Sequence, residues 1–213
     1  MSGEDHSWLK GGGALDTESV RQHYDAWADD YDATLAQWNY RAPSEAAAML
    51  KPLIPADAAI LDFGAGTGLS GQAVRDAGFT GRLDASDVSP RSVEIARARG
   101  VYSDVRVVDG NALPLPYETD SYDAAISIGV LTYIAQVDAL LRELARATKP
   151  GGYLLVTHRE DLARDQDFAG LAERLAQEGV WTVERITDPQ PYLPGNPDFA
   201  DEIGVIYALL RVR

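Results

Sequence analysis

The chain has 213 residues, with 33 acidic against 19 basic side chains and a formal charge of −14; that length suits one α/β domain with a sizeable core and is short for two. The charge repels phosphate backbones and anionic lipids, and no run of Lys and Arg offsets it locally, so neither nucleic acid nor a membrane surface is expected as a partner. With no cysteine, disulfides, thiolate zinc sites and a cysteine nucleophile are excluded, and no apolar run approaches the roughly 20 residues that span a bilayer.

Residues 1–16 are acidic and glycine-rich and lack the apolar core of a signal peptide, so they read as a flexible tail and the expected compartment is the cytoplasm. A single domain is predicted from 17 to 213. From Glu18 to about Gln37 a helix is expected, with Tyr24, Trp27 and Tyr31 recurring at intervals of three and four on one face. Trp38, Tyr40 and Arg41 follow in a loop. "AAILDF" is then a short apolar strand, Leu69 to Ala77 a helix, "RLDAS" a strand and Pro90 to Arg99 a helix. "DVRVV" and "YDAAISI" are strands, a helix runs from about Gln136 to Thr148, and Pro150-Gly151-Gly152 makes a turn. "YLLVTH" is a strand and Asp161 to Gln177 a helix. Strands alternating with helices imply a parallel sheet covered on both faces, because each parallel crossover needs a connection of a dozen or more residues. "VWTVERIT" and "IGVIYALLRVR" break the rhythm. They are strand-like with a proline-rich loop between them and no helix, so they should pair antiparallel, and the loop from Pro189 to Phe199, with Tyr192 at its centre, should overhang the ligand side of the sheet.

In "ILDFGAGTGLSG" glycine falls at positions 64, 66 and 68, in the turn from the first strand into its helix, where an open α/β sheet brings backbone closest to ligand. The spacing is not the GxGxxG of a dinucleotide fingerprint, and the Gly-Lys-Ser/Thr ending of a P-loop is absent. Asp62 just before the glycines would repel a phosphate and attract an amine. The expected ligand is therefore not held by phosphate at this turn; the plain alternative is that the glycines only make the turn tight. About 20 residues on, a carboxylate at the end of the second strand can accept both hydroxyls of a ribose. Asp84 and Asp87 compete for that place. Only Asp87 stands just before Ser89-Pro90, a serine cap with proline at the first helical position, which puts it at the strand's carboxyl end.

"LDFGAGTG", the Asp87-Val88-Ser89-Pro90 turn, "DGNALPLPYETDSYDAAIS" and "LLRELARATKPGGYLLVT" resemble the successive motifs of class I S-adenosylmethionine-dependent methyltransferases, in the small-molecule type 11 group. "HYDAWADDYDATL" resembles the N-terminal segment of methyltransferases like the one named after the Williams-Beuren region. The likeness covers roughly residues 20 to 160. It implies a Rossmann-like three-layer α/β sandwich with a seven-stranded, mostly parallel sheet of order 3-2-1-4-5-7-6, an antiparallel C-terminal hairpin, and a helical lid over about 17–50. It implies S-adenosylmethionine as cofactor, S-adenosylhomocysteine as product, and a small-molecule acceptor; a homodimer is compatible with it. Asp62 and the backbone of Gly64, Ala65, Gly66 and Gly68 would lie against the methionine part. Asp87 would hold the ribose hydroxyls, Val88 would pack on the adenine, and Asn111 with the backbone N–H of Ala112 would meet the adenine edge, Asp109 being the rival to Asn111. Tyr24 or Tyr31 would bond the cofactor's carboxylate, against the alternative that this helix face only packs. The rival to methyl transfer is a domain that binds the cofactor for another purpose.

Methyl transfer asks mainly for alignment, because the sulfonium is already a good leaving group. The positions that reach an acceptor are at the ends of the fourth and fifth strands, Tyr133 and His158, the latter followed by Arg159. His158 is the expected base, since an unperturbed imidazole titrates near neutrality; the alternative is a loop hydrogen-bonder. His6 and His23 have no clustered partners, so no metal is expected.

Overall fold

The computed structural model describes Leu9 and residues 16–199 and 203–213. Three helices come first: α1 (Thr17–Trp27), α2 (Tyr31–Gln37) and α3 (Ala42–Leu50). The helix expected over 18–37 is thus two helices. Asp29 and Asp30 lie in the break, residues that favour turns and caps over helix interiors, and Asp30 N–H closes back on the Trp27 carbonyl at 3.1 Å. Asp16 starts α1 by accepting from Ser19 N–H at 2.9 Å. In α3 the run "APSEAAAML" pairs Pro43 in the first turn with good helix formers, a start signal the sequence reading left unassigned.

The alternating part follows: β1 (Ile60–Phe63), α4 (Leu69–Asp76), β2 (Leu83–Asp87), α5 (Pro90–Arg99), β3 (Asp104–Val107), β4 (Tyr122–Ser127), a 3-10 turn at Leu131–Tyr133, α6 (Val137–Ala147), β5 (Thr148–Arg159), α7 (Glu160–Asp165), α8 (Phe168–Gln177), β6 (Trp181–Ile186), β7 (Gln190–Pro191) and β8 (Gly204–Val212). The helix expected over 161–177 is also divided, at Asp167, which sits in the left-handed region at φ 48° and caps α8 through Gly170 N–H. The Pro150-Gly151-Gly152 turn falls inside β5 as an irregularity: the pairing jumps from Tyr122 with Thr148 to Ala124 with Tyr153.

The strands run in the order β3-β2-β1-β4-β5-β8-β6, with β7 added on β8. The sheet has eight strands rather than seven only because two residues of the proline-rich loop, Gln190 and Pro191, pair with Val205 and Gly204; without that pairing the order is the expected one. Five strands are parallel, and β8 runs antiparallel between β5 and β6, with Leu155 opposite Leu209 and Val183 opposite Leu210.

Successive residues of the central strands alternate between two cores. Leu61, Ala125, Leu154 and Val156 pack with Leu140, Leu144, Phe168 and Leu175 of α6 and α8. Ile60, Ala124, Ile126 and Leu155 pack with Ala46, Ala47 and Leu50 of α3 and Val74 of α4. Burial on both faces is what parallel strands require, and β1 is buried at all four positions. A third cluster, Leu9, Trp27, Leu35, Trp38, Leu193 and Phe199, fastens the N-terminal helices to the loop before β8. Leu9 is buried there, so the tail expected over 1–16 is not free at this residue; most of that stretch lies outside the described residues. No helix among the described residues is long and apolar enough to cross a membrane.

Candidate functional site

A cavity opens beyond the carboxyl ends of β1, β2 and β4, where the strand order reverses. Gly64 and Gly66 of the β1–α4 turn line it. Gly64 has φ 76°, and a Cβ there would lie 2.1 Å from Val130 Cγ2, so the turn can pack on the β4 end only without a side chain. Gly66 has φ 55° and open space around it, with the edge of the Tyr31 ring 4.0 Å from where a Cβ would stand. The backbone here is bare toward the cavity. Ala65 and Gly68 are not in the lining: Ala65 N–H is bonded to the Ser86 carbonyl and Gly68 N–H to the Ala65 carbonyl, both at 2.9 Å. Both N–H groups, expected to lie against a ligand, are bonded within the turn.

Asp87 stands at the end of β2, facing the glycine turn, and Val88 beside it also lines the cavity. Its Oδ2 accepts from Gly66 N–H at 2.8 Å and its Oδ1 from Ser89 N–H at 2.9 Å. Burial pushes its pKa up, against these two bonds. Each carboxylate oxygen keeps a free lone pair. Ser89 caps α5 through Ser92 N–H at 2.9 Å and donates to Asp25 of α1 at 2.5 Å, so α1 is tied to the same strand end. Asp32 of α2 is bonded to Thr67 at 2.5 Å and paired with Arg99, a second tie across the turn.

Asp62 is fully buried behind the turn and does not line the cavity. Its Oδ2 accepts from Ser70 at 2.6 Å and from Tyr102 at 2.7 Å, while Oδ1 has no partner. Burial pushes its pKa up to about 6. The side chain expected to touch the methionine part is therefore one layer behind it. Relative to an ordinary carboxyl, the shift from 3.8 to about 6 corresponds to about 3 kcal/mol of cost for holding the charge in the folded protein at pH 7. Asp62→Asn is expected to raise stability at pH 7 by up to that amount. The folded pKa is raised, so the gain is full above about pH 6, shrinks as pH falls and is gone below about pH 4. Urea titrations of both proteins across this window check it, and a variant less stable than wild type at pH 7 would contradict it.

The third wall is the loop after β3. Asp109 and Asn111 both line the cavity. Asp109 Oδ1 accepts from Asn111 N–H at 2.8 Å. Asn111 is turned outward into the fold: its Nδ2 donates to Thr17 Oγ1 at 3.0 Å, and its Oδ1 accepts from Ala135 N–H at 2.9 Å. Ala112 N–H closes on the Asp109 carbonyl at 3.1 Å and is not in the lining. The pair expected to read an adenine edge is thus engaged, and Asp109 has the freer acceptor.

Tyr24 and Tyr31 both line the cavity while Trp27, on the same stretch, is buried against Trp38. Tyr133 lies in the lining too, its hydroxyl 3.2 Å from that of Tyr24 and the rings edge to face at 5.7 Å. Burial holds the three phenols above their usual pKa. Gly129 follows β4 at φ 78°, its N–H bonded to Thr157 Oγ1 at 2.8 Å. It also lines the cavity. A lone glycine just past an apolar strand was a readable signal that the sequence reading passed over.

His158 is not in this cavity. Side chains alternate along β5, so Thr157 faces Gly129 and His158 faces the other layer. There it is 2 % exposed, bonded to Gln166 at 3.1 Å and edge-on to Phe168 at 5.6 Å. Burial lowers its pKa. The structure thus places the residue expected as base away from the cavity, packed and hydrogen-bonded in the other layer. His158→Gln is expected to leave turnover within about threefold, where loss of a general base costs about 100-fold. Because the folded pKa is depressed, the neutral ring resists a proton that the unfolded chain takes below about pH 6.5. Wild type should therefore lose stability toward acid more steeply than the Gln variant. A 100-fold fall in turnover would restore His158 to the chemistry.

Residues 61–156 match the methyltransferase domain family model. The chain is 32 % identical over 194 residues to human methyltransferase-like protein 27, covering 85 % of this chain and 78 % of that protein. It is 30 % identical over 196 residues to the Arabidopsis thaliana tRNA (carboxymethyluridine(34)-5-O)-methyltransferase, of which it spans 45 %. In fold it is similar to a chain in the complex of the Haloferax volcanii Trm112 methyltransferase activator with a methyltransferase, at TM-score 0.70 and 23 % identity over 91 % of this chain and 97 % of that one. The bare glycine turn facing a half-buried Asp87 beside the sheet's reversal point, on a chain this similar to methyltransferases along most of its length, places it in the class I S-adenosylmethionine-dependent methyltransferases.

Proposed function

We propose that this methyltransferase acts on a small molecule enclosed beneath its N-terminal helices. The observation that carries the reading is the enclosure itself. The cavity is roofed by Thr17, Val20, Tyr24 and Tyr31 of the lid, and its only charged lining among the described residues is Asp87 and Asp109. A nucleic acid would meet a molecule of charge −14 and a lining without cations.

In this reading the cofactor supplies an activated methyl group on a sulfonium. Asp87 accepts the ribose hydroxyls on the lone pairs left by Gly66 and Ser89, and Val88 packs on the adenine. Asp109 accepts from the adenine amino group, with Asn111 bracing the loop. The backbone at Gly64 and Gly66 lies along the methionine chain, and Tyr31 or Tyr24 donates to its carboxylate. Tyr133 and Gly129 face the side from which the acceptor approaches. None of these residues has to break a bond. They orient the two reactants and keep water out, an effect worth up to about 7 to 11 kcal/mol of barrier when alignment is near ideal.

One observation favours a second reading. The Arabidopsis relative is a tRNA methyltransferase. Incubating the protein with methyl-labelled cofactor and, separately, a small-metabolite extract and total tRNA distinguishes the two. Label is expected in the metabolite fraction. Label in tRNA and none in metabolites would overturn the small-molecule reading and leave methyl transfer standing.

A further inference from the structure

Beyond Gly129, on the acceptor side, tyrosine side chains cluster around the end of β4. A Cβ on Gly129 would stand 3.4 Å from the Tyr40 hydroxyl and 3.6 Å from that of Tyr192. The Tyr40 and Tyr192 rings meet edge to face at 5.8 Å. The hydroxyls of Tyr31, Tyr40 and Tyr192 take no hydrogen bond among the described residues, and Tyr24 and Tyr133 complete the wall. Burial holds all five phenols above their usual ionisation, so the wall is neutral. The guanidinium at the end of β5, Arg159, is committed elsewhere: Nε donates to Asp161 at 3.0 Å, Nη2 to the same carboxylate at 2.5 Å, and Nη1 to the Leu9 carbonyl at 2.6 Å.

The geometry points to an amine as the acceptor. This rests on reading the cavity as the methyl-transfer site. Ring faces and phenol oxygens attract a cation, and the cavity lining, whose two carboxylates go to the cofactor in this reading, holds no Lys, Arg or His among the described residues. The field of a molecule of charge −14 concentrates cationic amines around it. A carboxylate or phosphate ester would arrive with its charge unmatched. The chemistry agrees with the residues. The amine releases its proton to solvent before attack; its nitrogen lone pair forms the new N–C bond while the C–S bond breaks, and that electron pair stays on sulfur as the thioether. Positive charge passes from sulfur to nitrogen, and a primary or secondary amine carries its remaining protons away with the product. No base is required in the compartment, whereas an alcohol acceptor would require one.

The test is calorimetric, on the full chain saturated with S-adenosylhomocysteine, titrated with N,N-dimethyl-2-phenylethylamine and with 3-phenylpropionate, an acid of similar shape. The amine is expected to bind at least about 10-fold more tightly than the acid. Tyr192→Leu and Tyr40→Leu are each expected to weaken the amine by roughly 3- to 30-fold with S-adenosylhomocysteine affinity unchanged, and Tyr192→Phe to stay within about threefold of wild type. No binding of the amine, equal or tighter binding of the acid, or amine affinity indifferent to both leucine variants would each overturn the assignment. A parallel incubation with methyl-labelled cofactor separates the two readings: amine bound but never labelled counts against methyl transfer and leaves the amine compartment standing, while label on the acid overturns the amine compartment and leaves methyl transfer standing.

Discussion

Replacing Asp87 with alanine is expected to weaken S-adenosylmethionine and S-adenosylhomocysteine alike by about 2 kcal/mol or more, roughly 30-fold, the range for removing hydrogen bonds to a charged group. The loss has two sources. The carboxylate is the acceptor placed to receive a ribose, and it also fixes the glycine turn by taking Gly66 N–H at 2.8 Å. The two cofactor forms should suffer equally because neither source involves the methyl group. Asp84 is the control. It lies three residues earlier on β2, accepts from Tyr122 at 2.9 Å and pairs with Arg82 at 3.5 Å. Asp84→Ala should cost stability and leave cofactor affinity within error. Calorimetry on both variants decides, and unchanged affinity in Asp87→Ala would remove Asp87 from the site.

The second large effect is expected at Gly64. An alanine there must hold φ near 76°, which costs about 1 to 2 kcal/mol, and its Cβ would stand 2.1 Å from Val130 Cγ2 and 3.2 Å from Val130 Cβ. Val130 is β-branched, so its methyl moves away only at the cost of leaving its preferred χ1 or shifting the backbone. Gly64→Ala should therefore lose about 2 to 4 kcal/mol of stability and shift the turn enough to abolish measurable cofactor binding. Gly78→Ala isolates the backbone part: its φ is 96°, and a Cβ there meets nothing within 4 Å. Chemical denaturation should show Gly78→Ala losing only the backbone cost, with cofactor binding intact. Equal losses in the two variants would mean that the Val130 contact carries no weight.

Several features were legible because local chemistry forces them. Ser89 followed by Pro90 names the start of α5, which places Asp87 at a strand end, and short apolar runs such as "AAILDF" name the central strands. The antiparallel β8 followed from the absence of a crossover helix after β6. What could not be read was direction. Thr157 and His158 are adjacent in sequence, yet one faces Gly129 and the other Phe168, and only the register of β5 on β4 and β8 decides which. The same holds for Asn111. It lines the cavity, but its side chain is spent on Thr17 and Ala135, partners 94 and 24 residues away. Long-range partners of this kind leave no local trace. The ties of Asp25 to Ser89 and of Asp32 to Thr67 and Arg99 went unread for that reason too. The breaks at Asp29-Asp30 and Asp167 were different: aspartates at turn positions were visible, and the apolar periodicity outweighed them.

A crystal structure of the protein with S-adenosylhomocysteine tests the central claim most directly. The account predicts density in the cavity between the glycine turn and the N-terminal helices, with both ribose hydroxyls in hydrogen-bond distance of the Asp87 carboxylate, the adenine amino group at Asp109, and the sulfur directed toward Gly129 and Tyr133. Ribose bound away from Asp87, or a sulfur pointing away from the Gly129 side, would contradict it.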